Sequence, residues 1–176
     1  MSKKIKIYRM PISRVFPATH PKKGEETYFY YKIKNATEDR IGFCCYDYRG
    51  DEIFVSQKKI HTIRQDYQLW KKRIDEVNAG NAVLVIYEWK GKPYRSKTNE
   101  IFRFDKDGGI GVQKLIFQQS SLNFPRVIRD DNAVVALNPT VLSKNDGISL
   151  QDFKDWFKGY DLSEPMAIIH FTKFRY

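Results

Sequence analysis

The stretch Lys58-Lys59-Ile60-His61-Thr62-Ile63-Arg64 places an amine, a hydroxyl and a guanidinium within six residues, just ahead of a helix. Lys59, Thr62 and Arg64 could together hold a phosphate or a polarised carbonyl, because two cations and a hydroxyl donor suit developing or resident negative charge. The plainer alternative is that Lys59 and Arg64 are surface cations and Thr62 is an ordinary strand residue. A second group, Lys90, Lys92, Arg95 and Lys97, flanks Pro93-Tyr94 in a stretch that reads as a hairpin loop. Cations interleaved with an aromatic ring attract polyanions and offer a stacking surface to unstacked bases, with Tyr94 as the stacking candidate.

The chain has 176 residues and a formal net charge of +10. The excess is uneven: Lys3, Lys4, Lys6, Arg9, Arg14, Lys22 and Lys23 face no acidic residue before position 24. Such a balance suits a nucleic acid partner, and it also serves solubility alone. The length suits one domain, residues 1–176, with a real hydrophobic core. The longest apolar run, residues 82–87, is strand-sized and far short of a membrane span. The start lacks the apolar region of a secretory signal, so a cytoplasmic protein without membrane attachment is expected. Cys44 and Cys45 are adjacent, which suits neither an ordinary disulfide nor a zinc site, and a reducing compartment with both thiols in a strand fits.

The histidines His20, His61 and His170 have no ligand spacing, so no metal is expected, and no Gly-rich phosphate loop or Ser-His-Asp context points to a cofactor. Two of these histidines alternate with apolar neighbours, as a satisfied buried or rim imidazole would.

The elements that must position these groups follow from periodicity. Residues 4–9 read as a first strand, followed by a long Pro-punctuated loop from Pro11 to Gly24. Residues 25–35 have strand propensity in Tyr28-Phe29-Tyr30-Tyr31, but Phe29 and Ile33 at i, i+4 favour a short helix. Residues 41–47 and 52–55, joined by Tyr48-Arg49-Gly50-Asp51, predict a hairpin. Asp66 should cap a helix to about Asn78 with Trp70, Ile74 and Val77 on one face and Gly80 closing it. Strands are expected at 82–89, 98–104 and 110–118 as an antiparallel meander. Ser149 with Asp152 has capping-box spacing for a second helix with Leu150, Phe153 and Phe157 on one face and Gly159 past its end. Trp70, Trp156 and Phe157 fall at helical core spacing and are read as packing. The run Met166 to Phe171 is a closing strand. Strand-rich order with segregated helices argues for the α+β class, as a small barrel or strongly curved sheet.

Taken in order, Lys59-x-x-Thr62-x-Arg64, a helix, the Gly80-to-Trp89 strand, Gly111-Val112-Gln113, and Asn145-Asp146-Gly147 before a helix ending Asp155-Trp156-Phe157 resemble the ASCH domain of the PUA-like superfamily. The similarity spans roughly residue 56 to the C terminus. Trp89-x-Gly91-Lys92-Pro93-Tyr94-Arg95-Ser96-Lys97 and Ile169-His170-Phe171-Thr172 bring it closest to a bacterial and phage branch.

The resemblance implies a PUA-like mixed or antiparallel β-barrel with flanking helices, and residues 1–55 would be an N-terminal extension and hairpin packed on it. It also implies a cleft beside Lys59, Thr62 and Arg64 that binds RNA or another nucleic acid, or a nucleotide-derived small molecule, with Lys92, Tyr94, Arg95 and Lys97 extending the track. In the amidohydrolase branch, which deacylates N-acetylated cytidine, the matching catalytic positions are Lys59, Thr62 and Asp146. A neutral lysine would take the threonine proton, the hydroxyl oxygen would attack the amide carbonyl, and the carboxylate would orient or relay. A ribonuclease using the same cleft is a variant of this reading.

Asp146 stands where that branch has a longer glutamate, and Asn-Asp-Gly is also a common turn former. Lying just before a helix N terminus, the carboxylate should stay ionised and suit orientation better than acid work. In an ideal strand Lys59 and Thr62 would face opposite sides, so one pocket for both requires a bend. A protein-interaction module, the remaining class, would carry an exposed apolar patch.

Overall fold

The run Met166–His170 is buried at all five positions, as expected for a strand covered on both faces instead of alternating between core and water. The structure is a computed structural model that describes residues 5–47 and 49–176. The expectations placed on Lys3, Lys4 and Tyr48 lie outside the described residues.

In chain order the elements are β1 (Lys6–Pro11), α1 (Phe29–Thr37), β2 (Phe43–Tyr46), β3 (Glu52–Val55), β4 (His61–Arg64), α2 (Tyr67–Asn78), β5 (Ala82–Trp89), β6 (Thr98–Phe104), β7 (Gly111–Phe117), β8 (Pro125–Ile128), β9 (Val134–Ala136), α3 (Pro139–Asn145), α4 (Leu150–Trp156) and β10 (Met166–His170). The described strands hydrogen-bond as three sheets: β1-β5-β6, β4-β10-β7-β8-β9 and the hairpin β2-β3. The protein is therefore mixed α+β and mostly antiparallel, with β1 and β5 the parallel pair. Among the described residues no ladder joins the two larger sheets into a closed barrel.

One expectation is corrected here, one stretch holds elements that no expectation covered, and one helix starts later than its segment. The strands at 82–89, 98–104 and 110–118 are not a meander: β5 pairs with β6, whereas β7 lies in the other sheet between β10 and β8. The 110–118 strand parts from β6 because its alternate residues Gly111, Gln113, Leu115 and Phe117 are buried against the elements around β10. Between Phe117 and Ser149 the chain also builds β8, β9 and α3, of which only the Asn138-Pro139 start had a local signature: Asn138 accepts from Thr140 N and Pro139 occupies the first turn. The 25–35 segment is helical, but it starts at Phe29, after Tyr28 in the left-handed region. Its buried face is Phe29, Lys32 and Ile33, so a lysine sits in the apolar stripe.

The α2 helix forms as its sequence indicates. Asp66 Oδ1 accepts from Leu69 N at 3.0 Å, and Trp70, Ile74 and Val77 are the buried residues. That face packs on β5 of one sheet and on β7 and β10 of the other, which puts the main core between them. In α4, Ser149 Oγ accepts from Asp152 N at 3.1 Å and donates to Asp152 Oδ2 at 2.8 Å. Both cysteines lie on β2, Cys44 exposed and Cys45 buried, as strand alternation requires. No helix among the described residues is long and apolar enough to cross a membrane.

Candidate functional site

Lys59 lies two residues before β4, outside the ladder, and this position brings it together with Thr62. Its backbone N–H donates to the Lys32 carbonyl at 2.9 Å, and the next N–H, of Ile60, donates to the Asn145 carbonyl at 2.9 Å. The segment is thus held between α1 and the end of α3. Freed from strict alternation, Lys59 and Thr62 line one cavity of about 30 Å³ together with Arg64 and Asp146. That volume holds one or two waters and no base.

Its walls are Ile12 and Ser13 from the segment after β1, Phe29 from α1, and Trp156 and Phe157 from the end of α4. The open cleft expected around Lys59, Thr62 and Arg64 is therefore narrowed to a water-sized pocket in this structure, and part of its wall comes from the N-terminal residues.

The chemistry inside is an ion pair. Lys59 is 1 % exposed, and its Nζ donates to Asp146 Oδ1 at 2.7 Å and to the Asp146 carbonyl at 2.6 Å. The ammonium also lies 4.2 Å from the Phe29 ring centroid, a cation–π contact. Burial draws the Lys59 amine below its ordinary value while Asp146 pulls it back. Burial alone would raise the Asp146 carboxyl, but the Lys59 ammonium first, and His61 with it, outweigh burial and hold the carboxyl below its ordinary value.

Arg64 donates to the Pro11 carbonyl, and its Nε has no partner among the described residues. Thr62 is buried and reaches the cavity, and its hydroxyl makes no side-chain hydrogen bond among the described residues.

Asp146 is not placed as its sequence neighbours suggested. It is the C-cap of α3, three residues before the Ser149 cap of α4, so the closer helix end is a C terminus. The dipole there disfavours a carboxylate, and the ionised state rests on Lys59 instead.

The Asp146-Gly147 turn is held from two sides, since Lys32 Nζ donates to the Gly147 carbonyl at 2.8 Å. Gly147 has φ 80°, and a Cβ there would stand 2.9 Å from Lys59 Cβ and 3.4 Å from Lys32 Cδ. Gly147→Ala is expected to cost about 2 kcal/mol, from left-handed strain plus the forced shift of Lys59. Gly159→Ala, with similar φ and nothing within 4 Å, should cost clearly less. Urea unfolding of the two variants checks the difference, and equal losses would show that the Lys59 contact is inconsequential.

Behind Asp146 lies a buried histidine pair that sequence spacing kept apart. His61 and His170 face each other across β4 and β10, with ring centroids 5.7 Å apart. His61 Nδ1 is 3.6 Å from Asp146 Oδ1, longer than a hydrogen bond, while its Nε2 is 2.8 Å from the Tyr176 hydroxyl. The Asn145 side-chain amide donates to that hydroxyl at 2.9 Å. Burial lowers the pKa of both imidazoles, that of His170 to about 2, so both are neutral at ordinary pH. Contrary to the expectation of a satisfied imidazole, neither ring nitrogen of His170 has a partner among the described residues. No group of three or more metal-ligating side chains occurs among the described residues.

Lys92, Tyr94, Arg95 and Lys97 do not reach the cavity. They lie in the exposed β5–β6 loop, beyond the strand β5 to which the cavity wall is joined by the Ile12 N–H donating to the Tyr87 carbonyl at 2.9 Å. Here an unanticipated arrangement appears. Arg9 stacks 4.7 Å over the Tyr87 ring, Tyr87 lies 5.7 Å from Trp89, and Trp89 lies 5.3 Å from Tyr94, which is 89 % exposed. Tyr87 and Trp89 share a face of β5 because they are two residues apart, a signal present in the sequence. Trp70 and Phe157 pack in the core as expected, and Trp156 is a half-buried cavity wall. Lys32 and Phe29 are the site residues that sequence reasoning missed, although Phe29, Lys32 and Ile33 have the i, i+3, i+4 spacing of one helix face.

In comparisons with protein-family models, with curated proteins and with solved structures, the chain matches none.

Proposed function

We propose that the protein is a single-strand nucleic-acid-binding module, RNA foremost, of the PUA-like, ASCH-type architecture that its motifs resemble. In this reading the two larger sheets are the halves of a split barrel.

The observation that carries the proposal is the outer face of the β5–β6 hairpin. Arg9, Tyr87, Trp89 and Tyr94 form a ladder of groups in contact, Tyr87 and Trp89 edge to face and Trp89 and Tyr94 tilted, and Lys90, Lys92, Arg95 and Lys97 beside it are exposed and make no ion pair among the described residues. Aromatic faces stack on bases whatever their sequence, while unpaired cations neutralise phosphates. The Lys59 pocket contributes less charge than its composition suggests, because Asp146 neutralises Lys59. Phosphate binding therefore falls to the hairpin, and a base could enter the pocket only if Ile12, Ser13 and Phe29 moved aside.

Two variants separate the contributions in fluorescence-anisotropy titrations with a single-stranded RNA. Trp89→Ala with Tyr94→Ala should weaken binding by roughly tenfold to a hundredfold without changing its salt dependence. Lys92→Ala with Arg95→Ala should flatten the slope of log K against log salt by about 1.4, close to 0.7 for each phosphate that is no longer neutralised. Unchanged affinity in both would remove the hairpin from the binding surface.

A second reading is favoured by the convergence of Lys59, Thr62 and Asp146 on one water-sized cavity. An amidohydrolase acting on an acylated nucleoside would use a neutral Lys59, oriented by Asp146, to accept the Thr62 proton as the threonine oxygen attacks the acyl carbon. The proton would pass to the departing nucleoside amine as the C–N bond breaks, and water would then hydrolyse the acyl-threonine ester to free acetate and Thr62. A ribonuclease would draw on the same groups. Release of acetate from N-acetylated cytidine that disappears in Thr62→Ala would establish the amidohydrolase reading, and absence of turnover in the wild type would discard it.

A further inference from the structure

A pocket of about 260 Å³ lies between β2, the start of α1 and the end of β5, and shares the wall Ile12, Ser13 and Phe29 with the Lys59 cavity. Its walls include Tyr28, Tyr30, Tyr31 and Tyr46, and its acidic groups are Glu26 and Glu88. Tyr30 and Tyr31 meet edge to face, with centroids 5.1 Å apart and planes at 77°, so two ring faces stand nearly at right angles. Phe102 stacks on Tyr30 at 5.5 Å, covering one face of that ring and leaving the other for a ligand.

The charge of this pocket is opposite to that of the molecule. The cation on its wall, Arg14, is committed to Glu26 through a long 3.4 Å contact. Lys34, 5.9 Å from the Tyr30 ring, lies 4.9 Å from the Phe43 ring and 4.0 Å from Glu38. Glu88 is half-buried and has no hydrogen-bond or ion-pair partner among the described residues. Alternation along β5 turns it to the face opposite Tyr87 and Trp89. Burial raises the Tyr31 phenol, and Glu26 and Glu88 are among the negative groups that push it in the same direction.

On a chain of net charge +10, a tyrosine-walled pocket with an unpaired carboxylate is badly matched to a phosphate. It suits a ligand with compact positive charge and an apolar surround, which gains from the ring faces and from the carboxylate together.

We propose that the Tyr30–Tyr31–Glu88 pocket is a binding site for an organic ammonium group, of the quaternary or methylated type, carried by a small molecule or by a side chain. The volume admits one such head group and little more, being below the usual range of about 300–1,000 Å³ for pockets that enclose drug-sized ligands. Its Glu88 corner lies on the other face of β5 from the ladder, while Ile12, Ser13 and Phe29 form a wall shared with the Lys59 cavity.

Isothermal titration calorimetry of the full chain tests this with choline and with its uncharged tert-butyl isostere as probes. Saturable choline binding is expected, with the isostere weaker by about tenfold, because it fills the same space without the charge. Glu88→Gln should weaken choline by about tenfold and leave the isostere unchanged. Tyr46→Ala, at a side chain already exposed, should weaken choline without affecting the fold. Equal binding of choline and isostere, no saturable choline binding, or full choline affinity in a folded Glu88→Gln protein would each overturn the proposal. The comparison of the two probes on the wild type decides the matter even if a variant does not fold.

Discussion

Asp146→Ala is expected to lose about 3–5 kcal/mol of stability, which for a chain of this length lowers the melting temperature by roughly 10 °C. The cause is what the substitution leaves behind. Lys59 Nζ would retain the backbone carbonyl of residue 146 and the Phe29 ring, but its positive charge would have no counter-ion in a cavity with room for one or two waters. Removing charge from both sides should be far milder. Lys59→Met with Asp146→Leu replaces a buried ion pair by apolar groups, a change that is often neutral or stabilising. A double-mutant cycle of Lys59→Met, Asp146→Leu and their combination on urea unfolding therefore has a definite expected form, with each single change severe and the double change recovering much of the loss. Simple additivity would mean that the two side chains do not act as a pair. The cycle also bears on the second functional reading, because loss of turnover in Asp146→Ala counts for catalysis only when the variant is shown to be folded.

The next largest effect is a pH dependence at Lys32. Burial first, and then the neighbouring Lys59, lower its pKa from 10.5 to about 8. Between these two values the unfolded chain binds the proton more readily than the folded one, so stability should rise with pH across that window. Below pH 8 the folded protein bears the whole cost of a buried ammonium, about 3 kcal/mol, and above 10.5 that cost vanishes. Lys32→Met has no such group. The stability of the wild type relative to Lys32→Met should therefore improve by up to about 3 kcal/mol from pH 7 to the top of the window. A difference that stays constant with pH would show that Lys32 titrates normally. The comparison cancels the tyrosines and other lysines that titrate over the same range.

Legibility in the sequence followed how local each cause was. The α2 helix was readable because its cap Asp66, its stripe Trp70-Ile74-Val77 and its stop at Gly80 lie within fifteen residues. The α4 helix announced itself through Ser149 and Asp152, and β10 through five successive buried positions. The partner of β7 was not readable, since alternation says which residues are buried and nothing about which strand lies alongside. For the same reason β1 gave no hint of its parallel pairing with β5 across some seventy residues.

Among the site residues, Lys59, Thr62, Arg64 and Asp146 do meet, but the closure of their cavity depends on Ile12, Ser13, Phe29 and Trp156, contributed by distant parts of the chain. Asp146 was assigned to the wrong helix end because α3, begun by Asn138 and Pro139, passed unnoticed. The hairpin cations were evident from composition, whereas the ladder depends on Arg9 reaching Tyr87 from a neighbouring strand. Lys32 was hidden by its type, since a lysine in an amphipathic segment is assigned to water by default.

Single-stranded RNA binding over a salt series, read by fluorescence anisotropy with a duplex of the same sequence alongside, tests the central claim most directly. The expected result is micromolar or tighter binding of the single strand, weakening as salt rises, with the duplex bound less well because its bases cannot reach Trp89 and Tyr94. No binding of the single strand at low salt, or binding indifferent to salt and to the loss of both aromatic rings, would contradict it.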